Sequence, residues 1–91
     1  MQYRLKLEVE VHKTIEALPG HIRQRVKRLL DSLRLDPRPA NAIEMRGDLV
    51  GHYRIKFDQW RIVYKIDDDV LLIEVLKIGT KHGPEFYEEI G

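Results

Sequence analysis

Three positively charged side chains, Arg54, Lys56 and Arg61, occur close together on either side of a short polar break in the chain. The break is Asp58-Gln59, and aromatic and β-branched residues alternate with charged ones on both sides of it. Side chains of a strand point alternately to its two faces, so the three cations would share one face of a β-hairpin. Converging cations with no acid among them are suited to bind phosphate. For any one of them, the alternative is an ordinary solvated surface residue.

The hairpin also predicts which residues face one another. Antiparallel partners are symmetric about the turn, which pairs Phe57 with Trp60, Lys56 with Arg61 and Ile55 with Ile62. The opposite face is then apolar and consists of Tyr53, Ile55, Phe57, Trp60, Ile62 and Tyr64. Like charges placed directly across a sheet are unfavourable. The pairing of Lys56 with Arg61 is therefore an unfavourable arrangement that a bound anion would relieve.

Length and composition limit the class of protein. The 91 residues, 43% of them hydrophobic, predict a single domain spanning 1–91. The net charge is only +1, so a basic surface would be local. The absence of cysteine excludes disulfides and thiolate metal sites, and we expect no metal and no cofactor. No apolar run follows Met1 or approaches the length of a membrane span, which predicts a soluble, cytoplasmic protein.

Hydrophobic periodicity predicts the remaining elements. A strand to about Leu7 and a short helix to about Leu18 precede the break at Pro19-Gly20. A second helix runs from His21 to about Leu35, because the residue before Pro37 avoids helical geometry. Its basic residues predict a solvated face that is also able to contact RNA: Arg23, Arg25, Lys27, Arg28 and Arg34.

The segments around the hairpin are shorter. A brief strand over Ile43 to Arg46 is followed by a turn from Gly47 to Gly51. Three adjacent carboxylates, Asp67-Asp68-Asp69, predict an exposed turn rather than a metal site. The nearly continuous apolar sequence from Val70 to Ile78 predicts a strand covered on both faces, and Glu85 to Ile90 a last helical turn. The fold class is α+β, with a two-helix hairpin on a small, mainly antiparallel sheet.

In its short sequence motifs and in the order of its elements, the chain resembles the RelE/ParE superfamily of bacterial and archaeal toxins from type II toxin–antitoxin pairs. The resemblance covers nearly the whole chain. It is carried by Ala17-Leu18-Pro19, Leu33 through Asp36-Pro37-Arg38-Pro39, Met45-Arg46-Gly47, Tyr53-Arg54-Ile55-Lys56, Trp60-Arg61-Ile62-Val63-Tyr64, and Ile78-Gly79 leading to Tyr87. It implies the same fold as the residue pattern, a small antiparallel sheet with the helical hairpin on one side.

The resemblance implies two alternative activities. The RelE-like branch cleaves messenger RNA in the ribosomal decoding site without a metal, and the ParE-like branch inhibits DNA gyrase. We favour a RelE-like, ribosome-dependent endoribonuclease that inhibits translation, with a cognate antitoxin, the ribosome and mRNA as partners. The alternatives are a gyrase inhibitor without nuclease activity and an inactive relative that binds an antitoxin.

Residue roles carried over from the RelE-like branch fall on five positions. Arg54 and Lys56 match the strand residues that hold the RNA backbone, and Arg61 matches the arginine at the scissile phosphate. Tyr87 corresponds to a late tyrosine that takes part in proton transfer. Lys81 stands where a second catalytic arginine is usual, and lysine offers a point charge instead of a planar, bidentate fork. The retained Arg61 and Tyr87 favour the nuclease, whereas Lys81 favours the gyrase inhibitor.

Two further residues are candidates for proton transfer. His82 is next to Lys81 in an irregular segment, and its alternative is an exposed loop histidine. A carboxylate near Glu44 serves as a base in some relatives, and the alternative for Glu44 is an exposed loop acid. Tyr53, Trp60 and Tyr64 would be able to stack on bases, but their parity places them in the core.

Overall fold

The computed structural model of the chain describes residues 2–80. Two helices and five strands follow in the order β1 (Arg4–Leu7), α1 (Val9–Ala17), α2 (Gly20–Leu35), β2 (Ile43–Glu44), β3 (His52–Phe57), β4 (Trp60–Asp67) and β5 (Leu72–Thr80), with a 3-10 turn at Gly47–Leu49. Helix and strand bounds agree with the sequence expectation to within one or two residues at most ends. The predicted last helical turn, Glu85 to Ile90, lies outside the described residues.

The second helix is amphipathic, and its boundaries follow from the neighbouring prolines. Pro19 precedes its first turn in an extended conformation, and Asp36, just before Pro37, leaves helical geometry with φ −142° and ψ 92°. Val26, Leu30 and Leu33 form its fully buried stripe. The helix is therefore held by one apolar face, which packs against the sheet.

The five strands form one sheet in the order β1-β5-β4-β3-β2. Strand β1 runs parallel to β5, and all other neighbours are antiparallel. An irregularity between Val63 and Tyr64 shifts the register of β4 against β5. The short strand β2 ends the sheet on one side, so its outer edge has no partner strand among residues 2–80.

The core lies between the helices and one face of the sheet. Its buried side chains come from every long element: Val11, Ile15, Leu18, Val26, Leu30, Leu33, Ile55, Phe57, Ile62, Tyr64, Ile73, Val75 and Ile78. The predicted apolar face of the hairpin is confirmed, since its members are buried there or packed against this core. Removal of this apolar surface from water is the main source of stability. The other face of the sheet is left to carry polar side chains.

Two expectations differ from the structure. Strand β2 ends at Glu44 instead of Arg46, because the chain turns at Gly47, whose φ of +65° favours glycine. The strand β5 is not covered equally on both faces, since Ile73, Val75 and Ile78 are buried and Leu72 is only half-buried. The apolar run reflects the interior place of β5 in the sheet, between β1 and β4.

Candidate functional site

The hairpin of β3 and β4 brings the three predicted cations together on the face opposite the helices. Lys56 is paired with Arg61, and Arg54 with Val63, in the register that symmetry about the turn predicted. Arg54 and Lys56 are two residues apart on β3, so their side chains leave the same face. We call the surface formed by Arg54, Lys56 and Arg61 the basic face.

A shallow depression of about 200 Å³ lies on the basic face and is lined by Asn41, Ile43, Arg54, Lys56 and Arg61. Lys56 is exposed, and the two arginines are half-buried. Neither Lys56 nor Arg61 forms an ion pair with another residue within the range 2–80. No carboxylate lines the depression among these described residues. Such a concave surface attracts anions, and its amide and cations offer hydrogen-bond donors to a phosphate.

Val63 forms an apolar floor under this face. It is fully buried although it lies on the same side of β4 as Arg61, away from the helices. Its partners across the sheet are Arg54 on one side and Lys77 on the other. Long basic side chains commonly lay their aliphatic stems over such apolar surface while the charged ends reach solvent. The burial of Val63 therefore fits coverage by the stems of its basic neighbours.

The tip of the hairpin is fastened to α2. Asp58 adopts φ +52°, a left-handed conformation that aspartate tolerates better than most residues. The guanidinium of Arg25 donates a 2.7 Å hydrogen bond to the Asp58 carboxylate. It also lies 5.0 Å from the ring centroid of Phe57. Sequence periodicity assigned Arg25 to a solvated face, whereas the structure places it against the turn that joins Lys56 and Arg61.

The opposite end of the hairpin is fixed by a second cluster that the sequence did not reveal. Arg38 makes a bidentate contact with Asp68, at 2.8 and 3.3 Å, and its Nε donates to the Tyr53 hydroxyl at 2.9 Å. The Tyr3 hydroxyl donates to the same Asp68 carboxylate at 2.7 Å. Hydrogen bonds from Arg38 and Tyr3 lower the pKa of Asp68, and the bonds to Asp68 and Tyr53 raise the pKa of Arg38.

Tyr64 connects this cluster with the core. Its ring lies 5.9 Å from that of Tyr53 in a stacked arrangement, and its hydroxyl donates to the Pro37 carbonyl at 2.8 Å. Burial raises the pKa of Tyr64, and the nearby Tyr53 raises it further. Tyr53 and Tyr64 thus serve the core and the Arg38 cluster on the side of the sheet away from the basic face. Base stacking, the other role considered for them, does not fit this placement.

The remaining candidates fall into two groups. Glu44 is exposed, and its carboxylate accepts a 3.3 Å bond from the Gly51 amide, which makes it a loop-stabilising acid outside the 200 Å³ depression. Lys81, His82 and Tyr87 lie outside the described residues. Gly79 pairs with Arg61, so the end of β5 that precedes Lys81 in the sequence lies beside the basic face.

The acidic turn after β4 and the two helices bear on metal ligation and membrane insertion within residues 2–80. No group of three or more potential ligands among His, Asp and Glu is placed to hold a metal ion in that range. Asp67 accepts bonds from the Asp69 and Val70 amides, as expected of a carboxylate in a turn. Neither of the helices described is long and apolar enough to cross a membrane.

Both the sequence and the fold of the chain are similar to known proteins. Residues 5–82 match the family model described as the ParE toxin of the type II toxin–antitoxin system parDE. A search of the curated proteins found no significant match. Among solved structures, an E. coli RelE toxin double mutant in the free state is 28% identical, with a TM-score of 0.80 over 99% of this chain and 95% of that chain.

Two other structures extend the similarity. A chain of the archaeal RelE–RelB complex from Pyrococcus horikoshii is 28% identical, with a TM-score of 0.75 over 90% of this chain and 98% of that one. A YoeB/ParE toxin from Agrobacterium tumefaciens has a TM-score of 0.74 over 87% of this chain and 99% of that one. At 13% identity the last supports the fold alone.

Proposed function

Because the chain belongs to the ParE toxin family of type II toxin–antitoxin systems, within the RelE/ParE superfamily, we propose that it is a toxin that cleaves mRNA on the ribosome without a metal. In this proposal Arg54 and Lys56 bind the RNA backbone. Arg61 neutralises the scissile phosphate. Lys81 and Tyr87 complete the site from the segment that follows β5.

The grouping of Arg54, Lys56 and Arg61 around one depression is the observation that carries the proposal. None of these three side chains belongs to the core, since Lys56 is exposed and both arginines are only half-buried. Lys56 faces Arg61 directly, and this arrangement is unfavourable in the unliganded sheet. A phosphodiester that enters the depression relieves the repulsion and gains charge-assisted hydrogen bonds. The same face would be poorly suited to a cationic or wholly apolar small molecule.

The proposed reaction uses the RNA's own nucleophile. The 2′-oxygen forms a bond to the adjacent phosphorus, the bond from phosphorus to the 5′-oxygen breaks, and the products are a 2′,3′-cyclic phosphate and a 5′-hydroxyl. One proton leaves the 2′-hydroxyl and one reaches the departing 5′-oxygen. Arg61 stabilises the extra negative charge on the phosphoryl oxygens in the transition state. Since free tyrosine titrates near 10, Tyr87 acts as the base only where neighbouring cations lower its pKa.

The proposal includes a cognate antitoxin as partner. The solved relatives include an archaeal RelE–RelB complex and an E. coli RelBE toxin–antitoxin complex, at 28% and 26% identity to this chain. An antitoxin that covers the basic face would neutralise its charge and exclude RNA. We therefore expect co-expression with the antitoxin to relieve growth arrest caused by this chain.

Cleavage of mRNA on purified ribosomes tests the function. Arg61→Ala should lower the single-turnover rate by roughly 100-fold or more, the scale for loss of a preorganised charge donor. Lys65→Ala is the matched control, since Lys65 is an exposed cation on β4 that does not line the depression. It should leave the rate within about twofold, because a distant exposed charge is largely screened. Equal rates for wild type and Arg61→Ala would remove Arg61 from the site.

Inhibition of DNA gyrase is the second candidate function. It is favoured by the match to the ParE family model and by lysine at position 81. Under this alternative the basic face contacts a protein or DNA, and no phosphodiester bond is broken. A wild-type chain that inhibits gyrase supercoiling and leaves ribosome-bound mRNA intact would establish this function in place of the nuclease.

A further inference from the structure

A second depression of about 320 Å³ adjoins the first. It is lined by Ile43, Glu44, Met45, Arg46 and Arg54. Ile43 and Arg54 belong to both depressions, so the two form one continuous surface. Ile43 keeps 53% of its surface exposed, which is unusual for a large aliphatic side chain on a strand. The second depression thus combines an apolar wall with two guanidinium groups and one acidic residue, Glu44, whose carboxylate accepts the bond from the Gly51 amide.

The backbone of β2 adds hydrogen-bonding groups to this wall. The Met45 amide donates to the His52 carbonyl at 2.8 Å, so Met45 turns its amide toward β3. In an antiparallel pair, alternate residues turn both backbone groups toward the partner. Glu44, which pairs with Tyr53, therefore turns its amide and carbonyl toward the outer edge of β2. The edge offers one donor and one acceptor beside Ile43.

We infer that the second depression is a subsite for the nucleotide next to the scissile phosphate, and that it contributes to sequence preference. A nucleotide has a group to match each part of this surface. The flat apolar face of its base covers Ile43 and Met45, the edge of the base pairs with the Glu44 backbone, and its phosphate lies between Arg46 and Arg54. The subsite deepens the proposed function and rests on it.

Continuity supports a nucleotide over other occupants. Arg54 borders both depressions, so one polynucleotide strand is able to occupy both without leaving the surface. An antitoxin strand that pairs with the outer edge of β2 is the competing occupant. The two occupants are distinguishable, because only a bound nucleotide makes cleavage depend on the identity of a base.

The test measures cleavage of ribosome-bound messages that differ only in the nucleotides flanking the cut. Ile43→Ala should reduce the ratio between the best and the worst flanking nucleotide by roughly three- to tenfold, the scale for part of an aliphatic side chain. Val50→Ala is the control, since Val50 is also an exposed aliphatic residue but lines neither depression. Arg46→Gln should lower subsaturating rates by a similar factor for all messages, since phosphate contacts carry no sequence information.

The outcomes separate the subsite from the proposed function. If wild type cleaves with a flanking preference and Ile43→Ala keeps that preference unchanged, the subsite is wrong and the nuclease stands. The same holds if wild type cleaves all messages equally. If Ile43→Ala weakens antitoxin binding about tenfold and leaves the cleavage profile intact, the depression binds the partner protein instead. A wild type that cleaves no message overturns the proposed function, and the subsite with it.

Discussion

Removal of the Tyr64 hydroxyl should destabilise the protein at neutral pH. At basic pH the same change should no longer destabilise it. In Tyr64→Phe the buried ring keeps its stacking on Tyr53, and only the 2.8 Å bond to the Pro37 carbonyl disappears. A hydrogen bond of this kind contributes about 1 kcal/mol net. For a domain of this size, about 1 kcal/mol corresponds to a fall of roughly 4–8 °C in Tm.

The pH dependence follows from the burial of Tyr64, which raises its pKa in the folded state. The neutral phenol is favoured in the fold, so its contribution is complete below the unfolded pKa and is lost as pH rises toward the folded pKa. With an unfolded pKa near 10, wild type should lose about 1.4 kcal/mol by pH 11 through this residue. Tyr64→Phe does not lose this stability, because phenylalanine has no hydroxyl to ionise. The two proteins should therefore become equally stable between about pH 10.5 and 11, by the same arithmetic.

Urea denaturation at pH 7 and pH 11 measures both effects. Tyr53→Phe is the control, because Tyr53 is half-buried and its hydroxyl accepts from Arg38 near solvent. Its comparison with wild type shows the effect of removing a phenol hydroxyl that lies near solvent. A Tyr64→Phe difference that is absent at pH 7 would contradict the bond to Pro37, and one that persists unchanged at pH 11 would contradict the effect of burial on ionisation.

Three further predictions concern activity, the turn and acid stability. If Lys81 contacts a phosphate, Lys81→Arg should retain or raise the cleavage rate and Lys81→Ala should lower it, whereas unchanged rates in both would remove Lys81 from the site. Asp58→Ala should lower the free energy of unfolding by about 1–2 kcal/mol, because alanine is strained in the left-handed conformation. Asp58→Asn should lower it by at most about 1 kcal/mol, through loss of the exposed ion pair with Arg25. Equal losses for the two variants in urea denaturation would contradict the turn geometry. Arg38 lowers the folded pKa of Asp68, so this ion pair stabilises above the unfolded pKa and is lost as pH falls through the folded one. Asp68→Asn should thus be less stable than wild type at pH 6 and match it in strong acid, and a constant difference across acid titration would refute this.

The elements of the fold that were predictable are those with a local period. The alternation around Asp58-Gln59 fixed both the register of Lys56 with Arg61 and the face of each side chain, because a tight turn leaves few other pairings. The stripe of Val26, Leu30 and Leu33 likewise predicted the second helix and the face it buries. In both cases, residues close in sequence carry the whole signal.

The contacts that escaped prediction join residues far apart in sequence. Arg38 and Asp68 are 30 positions apart, and Tyr3 and Asp68 are 65 apart, so no periodicity relates them. Arg25 had the pattern of a solvated helix residue, and only the packing of α2 against the hairpin brings it to Asp58. For the same reason, the basic face was predictable from β3 and β4, whereas the continuity of its depression with the β2 edge required the fold.

The most direct test of the central claim is the fate of ribosome-bound mRNA incubated with the purified wild-type protein. We predict cleavage in the decoding site, with a 2′,3′-cyclic phosphate on the upstream fragment and a 5′-hydroxyl on the downstream one. The antitoxin should abolish it. Intact mRNA, in an assay where the same preparation inhibits gyrase supercoiling, would contradict the account.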